Sequence, residues 1–247
     1  MTTMLSCNLN KVALIRNSRD GNTPDLLTAA HIVIEAGAGG LTLHPRADAR
    51  HARLSDIAAF AALEPVRAGH IELNIEGDIR RDLIEATLAA GAHQFTVVPV
   101  QPGEKTSNRG WNKTDDQAAL IETVRRFQPK TRVAVFVESD PAAVELVAAS
   151  GVQAVEFYTG PYAEHYGAPE GAVELARLVK AADTARRLGL RINAGHDLTT
   201  ENLGALVRAI RPAELSIGHA LTADALWYGL GEAVSRYLQA IAAASQE

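Results

Sequence analysis

Residues 83–100 read LIEATLAAGAHQFTVVPV, and this stretch contains the repeating unit that decides the fold. Its first half places apolar side chains at the i, i+3, i+4 spacing of a helix that covers a sheet. Gly91 is a helix stop, and the β-rich run QFTVVPV (94–100) follows it directly. The stretch therefore predicts a helix that ends at a glycine and passes at once into a buried strand.

The same unit recurs along the whole chain. Helical periodicity is present in LLTAAHIVIEAG, QAALIETVRRF, AAVELVAASG and ELARLVKAADTARRLG. We predict eight strands, at 4–9, 40–44, 71–75, 94–100, 132–138, 154–159, 190–195 and 214–219. This alternation favours an α/β fold of the (β/α)8 TIM barrel type over a doubly wound sheet. No linker interrupts it, so we expect residues 1–247 to form a single barrel domain with small additional helices.

The composition restricts the classes of function. With 47% hydrophobic and 21% charged residues, the chain is expected to fold around a sizeable core. A net charge of -5 provides no overall positive field for nucleic acid or an anionic membrane, and no apolar run approaches the ~20 residues of a membrane span. Cys7 has no disulfide partner and the N-terminal residues lack a signal-peptide pattern, so we expect a cytoplasmic protein that binds small molecules.

A barrel places its active site at the C-terminal ends of its strands. Polar residues cluster there in this sequence: Asn8, Asn10, Lys11, His44, Arg46, Asn74, Glu76, Glu138, Glu156, His196, Gly218 and His219. Four of the eight histidines fall at or just beyond strand ends. Any one of them alone would be read as a hydrogen-bonded loop residue, but their convergence on one face favours a catalytic site.

Two kinds of anion site are predicted at this face. The segments INAGHDLTTEN (192–202) and LSIGHALTADAL (215–226) place small residues before a helix start, where backbone N–H groups can approach a phosphate. After the second strand, LHPRADARH (43–51) supplies a cationic cluster. Two anion sites indicate two phosphorylated substrates, or one substrate with two phosphates. We find no HxH or HExxH spacing and expect no metal or other cofactor.

Five segments carry a resemblance to a known family: NLNKVALIRNSR (8–19), LTLHPRADARH (41–51), VEFYTGPYA (155–163), RINAGHDLT (191–199) and ELSIGHAL (214–221). In order and spacing they resemble the motifs of the pyridoxine 5'-phosphate synthase family. The resemblance implies a (β/α)8 barrel with extra helices, assembled as a homo-octamer. It implies condensation of 1-deoxy-D-xylulose 5-phosphate with 3-amino-2-oxopropyl phosphate, which yields pyridoxine 5'-phosphate, inorganic phosphate and water in vitamin B6 biosynthesis.

The resemblance also implies roles for individual residues. His44 matches the catalytic base, His196 the catalytic acid, and Glu156 a carboxylate that supports the transition state. Contacts to the amino-ketone are implied for Asn8, Arg19, Gly218 and His219, and contacts to the deoxyxylulose phosphate for Arg46, His51 and Thr106. Imine formation and dehydration require proton exchange near neutral pH, where histidine titrates.

The chain departs from the family pattern at several of these positions. Asn10 and Lys11 replace an Asp-His pair, and Asp197 replaces a glycine; we include all three among the predicted substrate contacts. The family's catalytic glutamate of the third strand aligns with Asn74, which cannot act as a carboxylate base. We therefore predict that Glu76, on the same strand face, replaces it after a local shift or bulge.

These departures leave two alternatives to synthase activity open. One is a divergent paralog that joins a different phosphorylated amine and carbonyl pair. Lys11 favours it, because a desolvated lysine can form a Schiff base, although a phosphate contact is the simpler role. The other is a catalytically silent protein that binds phosphorylated ligands, which the changes at Asn10 and Asn74 favour and the retention of the two histidines disfavours.

Overall fold

The computed structural model describes residues 3–100 and 107–246, which form a closed barrel of parallel strands. The strands are β1 (Met4–Asn8), β2 (Gly40–Leu43), β3 (Glu72–Gly77), β4 (Gln94–Val97), β5 (Arg132–Val137), β6 (Ala154–Tyr158), β7 (Arg191–Gly195) and β8 (Glu214–Ile217). Each strand pairs with the next in chain order, and β8 closes the barrel on β1. The predicted (β/α)8 fold and all eight predicted strands are confirmed, although β4 ends at Val97, ahead of Pro99, which has no N–H to donate to a sheet.

Helices surround the barrel. They are α1 (Asn10–Arg16), α2 (Leu26–Glu35), α3 (Leu54–Ala61), α4 (Glu64–Arg67), α5 (Arg81–Ala90), α6 (Gln117–Phe127), α7 (Pro141–Ala148), α8 (Gly160–Glu164), α9 (Pro169–Arg187), α10 (Leu203–Ile210), α11 (His219–Tyr228) and α12 (Leu230–Gln246). Helices α1, α8 and α11 each begin two residues after a strand ends, at the mouth of the barrel. Asn10 and Lys11 at the start of α1 and His219 at the start of α11 therefore lie at this mouth. Within the described residues no helix is both long and apolar enough to cross a bilayer.

Glycines end the helices where the sequence predicted. Gly37, Gly91, Gly151 and Gly189 have φ angles of 103°, 65°, 80° and 72°. These left-handed values are strained for residues with a Cβ atom, and a glycine at this position turns the chain out of the helix. The turn sends the chain back towards the bottom of the barrel to start the next strand.

Buried polar side chains close the bottom of the barrel. Arg132 Nη1 donates to Glu72 Oε1 at 2.5 Å and to Gln94 Oε1 at 2.9 Å. Glu214 is 1% exposed nearby, and burial raises its pKa to about 8. Since charged and amide groups fill this end, the mouth at the C-terminal ends of the strands is the end that can admit a ligand.

Candidate active site

A cavity of about 360 Å³ opens at the C-terminal ends of the strands. Twelve of the predicted site residues line it: Asn8, Asn10, Lys11, His44, Arg46, His51, Glu76, Glu156, His196, Asp197, Gly218 and His219. The other seven lining residues were missed by the sequence reasoning: Val98, Ser107, Phe136, Leu198, Ser216, Ile217 and Ala220. The period-two alternation of β8 from Glu214 was a signal that pointed to Ser216.

The two asparagines at the end of β1 organise the site. Asn8 Oδ1 accepts a hydrogen bond from the Asn10 backbone N–H at 3.1 Å, and Asn8 Nδ2 donates to Glu76 Oε2 at 3.3 Å. Asn10 Oδ1 accepts from the backbone N–H of His44 at 2.8 Å. Asn8 at the end of β1 thus contacts the carboxyl group of Glu76 on β3, and Asn10 at the start of α1 contacts the backbone of His44 after β2.

Glu76 reaches the cavity without any distortion of β3. The pairing of β3 with β4 is regular from Asn74 through Gly77, so the shift or bulge expected from the sequence is absent, and that expectation was wrong. The Ser216 hydroxyl donates to Glu76 Oε1 at 3.3 Å, and His44 Nδ1 lies 3.8 Å from Glu76 Oε2. Glu76 therefore faces His44 across the floor of the cavity.

Asn74 lies deeper in the barrel and does not line the cavity. It is 1% exposed, accepts a hydrogen bond from the Thr96 hydroxyl at 2.9 Å, and donates to Thr42 Oγ1 at 3.4 Å. Two residues along a strand correspond to ~6–7 Å, so Asn74 is one layer below Glu76. The prediction that Asn74 occupies the catalytic position of this strand is wrong, because Glu76 holds the place at the mouth.

Glu76 and Glu156 form a buried carboxyl pair. Burial raises the pKa of both groups, and the charge of Glu76 raises that of Glu156 further. Glu156 is 4% exposed, and its Oε2 has no hydrogen-bond partner among the described residues. The pair therefore retains protons at pH values where exposed carboxyl groups are ionised, which allows proton exchange with a substrate near neutral pH.

The histidines of the β2 side are neutral at physiological pH. Burial, followed by the charge of Arg46, lowers the pKa of His44 to about 3. Burial, followed by the charge of Arg50, lowers the pKa of His51 to about 4. The buried Nε2 of His44 has no hydrogen-bond partner in the described part of the chain. The neutral ring of His44 carries one unprotonated nitrogen that can accept a proton, and the lowered pKa makes it a weaker base than a free imidazole.

Cationic groups and a helix start flank the cavity on two sides. Lys11 and Arg46, together with the neutral His51, lie on the β1 and β2 side, and α11 begins at His219 on the β8 side. A Cβ atom on Gly218 would lie 3.1 Å from Asn8 Cβ, so a glycine allows the end of β8 to approach β1 this closely.

One predicted contact does not join the cavity, and another cannot be placed in it or outside it from the described residues. Arg19 is exposed in the loop after α1 and does not line it, because α1 carries the chain away from the mouth before this residue. Thr106 lies outside the described residues. No group of three or more His, Cys, Asp or Glu side chains in 3–100 and 107–246 is arranged to hold a metal ion.

Comparison with known proteins identifies close relatives over the full length. Residues 5–243 match the family model described as pyridoxal phosphate biosynthesis protein PdxJ. The pyridoxine 5'-phosphate synthase of Brucella anthropi is 45% identical over 245 residues, which cover 98% of this chain and 100% of the relative. That of Mesorhizobium japonicum is 43% identical over 243 residues, with 97% and 99% covered.

More distant solved structures share the fold alone. Phosphoribosyl anthranilate isomerase from Thermotoga maritima superimposes with a TM-score of 0.62 at 12% identity, covering 98% of this chain and 99% of that one. The corresponding enzyme from Thermus thermophilus gives a TM-score of 0.58 at 13% identity, covering 98% and 99%. These similarities agree with the barrel topology and carry no information about the reaction.

Proposed function

This chain belongs to the pyridoxal phosphate biosynthesis protein PdxJ family, and we propose that its barrel mouth catalyses the pyridoxine 5'-phosphate synthase reaction. In that reaction 1-deoxy-D-xylulose 5-phosphate and 3-amino-2-oxopropyl phosphate condense to pyridoxine 5'-phosphate, with release of inorganic phosphate and water. The observation that carries the proposal is one cavity that combines His44, Glu76, Glu156 and His196 with cationic side chains on one side and a helix start on the other.

The proposed roles follow from the protonation states of these groups. Imine formation, carbon–carbon bond formation and dehydration each move protons to or from carbon, nitrogen and oxygen atoms of the substrates. His44, which burial keeps neutral, and Glu76, 3.8 Å away, accept protons. Glu156, whose pKa burial raises, supplies a protonated carboxyl group, and His196 donates a proton to a leaving oxygen.

The two flanks of the cavity are assigned to the two substrates. Lys11, Arg46 and His51 bind the phosphate of the deoxyxylulose substrate through charge and hydrogen bonds. The start of α11, with Gly218 and His219, binds the amino-ketone phosphate through backbone N–H groups. Asn8 contributes to the amino-ketone side, next to Gly218. Arg19 and Thr106, which the resemblance also assigns to the substrates, remain predictions.

Incubation of the purified protein with both substrates tests the proposal. We expect pyridoxine 5'-phosphate and inorganic phosphate to appear in equal amounts, measured by chromatography and a phosphate assay. Binding of either substrate by calorimetry without product would contradict the proposal and support a silent binder. A second candidate is a divergent paralog that joins a different phosphorylated amine and carbonyl pair, which Lys11 in the cavity favours. Turnover of such a pair, with no turnover of the two synthase substrates, would identify it.

The anion sites lead to a prediction about substrate binding. Arg46→Ala is expected to weaken binding of 1-deoxy-D-xylulose 5-phosphate by about one to two decades, since a charge-assisted hydrogen bond is worth roughly 1.5–3 kcal/mol. His219→Ala is expected to weaken binding of 3-amino-2-oxopropyl phosphate instead. Calorimetric titration of each variant with each substrate measures both effects. If both variants bound the same substrate more weakly, the two flanks would be a single anion site.

We further propose that the chain is one barrel domain that assembles with copies of itself in the cytoplasm, as an octamer by family resemblance. Apolar side chains on two neighbouring helices support assembly. Leu226 and Trp227 of α11 are 70% and 79% exposed, and Leu14 and Ile15 of α1 are 38% and 46% exposed. Such a surface is unusual for a monomer. The free, buried Cys7 is compatible with a reducing compartment.

A further inference from the structure

The turn after β7 has an unusual backbone. His196 and Asp197 have φ angles of 94° and 57°, values that residues with a Cβ atom rarely adopt. Such a conformation is unfavourable for most residues with a Cβ atom, although aspartate tolerates the left-handed region better than most. Two consecutive residues of this kind persist only where surrounding contacts hold them.

Side chains from two other segments hold this turn. The Thr159 hydroxyl lies 2.7 Å from the carbonyl oxygen of Gly195 and 2.5 Å from that of His196, and donates its hydrogen between them. Asn202 Nδ2 donates to the Asp197 carbonyl at 3.2 Å. The backbone that presents the His196 ring is therefore fixed from both sides.

The ring of His196 is also fixed. Its Nδ1 lies 2.6 Å from Asp197 Oδ2, and its plane meets the Tyr158 ring at 84° with 5.0 Å between centroids. The hydrogen bond from His196 lowers the pKa of Asp197, so this carboxyl group is ionised at neutral pH. An ionised carboxylate only accepts hydrogen bonds, which requires the proton to be on Nδ1 of His196.

We propose that Asp197 is a positioning residue that fixes the orientation and tautomer of His196, so that proton transfer to and from the substrate occurs at Nε2. This inference rests on the proposed function, in which His196 donates a proton to a leaving oxygen. When Nε2 gives up its proton, the neutral ring keeps its proton on Nδ1, and the carboxylate stabilises the cation before transfer. A glycine would allow the same backbone turn but would provide no carboxylate.

Nitrogen-15 NMR of histidine-labelled protein tests the proposal without requiring turnover. The His196 signals are assigned by their loss in His196→Asn. In the wild type at a pH where the ring is neutral, we expect the tautomer with the proton on Nδ1. In Asp197→Asn the amide NH₂ group can donate to Nδ1, so the population is expected to move towards the tautomer with the proton on Nε2. A wild-type ring that carries its proton on Nε2, or an unchanged tautomer in Asp197→Asn, would overturn the proposal.

Kinetics provide the second readout. Asp197→Asn is expected to lower kcat by about 10- to 100-fold with KM changed by less than about threefold, a smaller effect than the ~10⁴ lost when a fully buried aspartate of this type is replaced. Asp197→Gly retains the backbone turn and should lose kcat to a similar extent. Wild-type kcat in Asp197→Gly would overturn the proposal. If the wild type itself has no synthase activity, the proposed function fails, and the NMR result still decides the role of Asp197 towards His196.

Discussion

Glu76→Gln is expected to lower kcat for the condensation of the two phosphorylated substrates by about 10²-fold or more, with little change in KM. The substitution keeps the shape of the side chain and one acceptor oxygen, which can accept from Asn8 Nδ2, while its NH₂ group can donate to the Ser216 hydroxyl; both partners lie 3.3 Å from Glu76. It removes the carboxylate that faces His44 and whose pKa burial raises. Steady-state kinetics with both substrates, and phosphate release as a second signal, measure the loss.

A matched control lies on the same strand. Glu72→Gln changes the same residue type on the same face of β3, at the closed end of the barrel, where Glu72 pairs with Arg132. We expect this variant to lose stability but to keep kcat per folded molecule within about twofold of the wild type, since it touches no group at the mouth. Wild-type kcat in Glu76→Gln would show that Glu76 is not a base in this enzyme.

Asn74→Glu has a different expected outcome from the one that the sequence indicates. The alignment of Asn74 with a catalytic glutamate indicates a gain of activity, but in the structure this side chain is buried between Thr42 and Thr96. A carboxyl group there lacks a cationic partner, so we expect the free energy of unfolding to fall by roughly 3 kcal/mol or more. Urea denaturation measures the change. A variant as stable as the wild type would contradict the placement of Asn74 one layer below Glu76 in the barrel.

The fold could be predicted because each of its signals is local. A helix of period 3.6, a glycine with positive φ and a short buried strand are all present in stretches such as residues 83–100, and their repetition leaves few architectures possible. Most of the cavity could be predicted for the same reason, since a barrel gathers its strand ends at one face.

The wrong predictions concern side chains whose role depends on their position along the barrel axis. The third strand was predicted to end at Ile75 and in fact continues to Gly77, so Asn74 was assigned the catalytic position and Glu76 was expected to need a local shift to reach the mouth. The position of a strand along the barrel axis depends on its register with its neighbours, which a single sequence does not specify. The hydrogen bond of Asn10 to the His44 backbone was missed for a related reason, because it joins residues that are far apart in sequence.

His196→Asn is expected to lower kcat by ~10² to 10⁴, the typical loss on removal of a general acid, while the fold is retained. Asparagine tolerates the positive φ of this position, and the side chain lies at the mouth, 21% exposed, outside the barrel core. His70→Asn, in an exposed turn before β3, is the matched control and should leave kcat unchanged. Circular dichroism and thermal unfolding verify the fold of both variants.

A double variant that combines His196→Asn with Asp197→Asn tests whether Asp197 acts through His196. If Asp197 acts through His196, then Asp197→Asn should cost about 10- to 100-fold in kcat in the wild type and nothing further once His196 is asparagine, because the residues work as a unit. An additive loss would mean that Asp197 contacts the substrate independently. Near-normal kcat in His196→Asn would remove this histidine from the mechanism, and proton donation would then have to come from another protonated group at the mouth, such as Glu156, whose pKa burial raises.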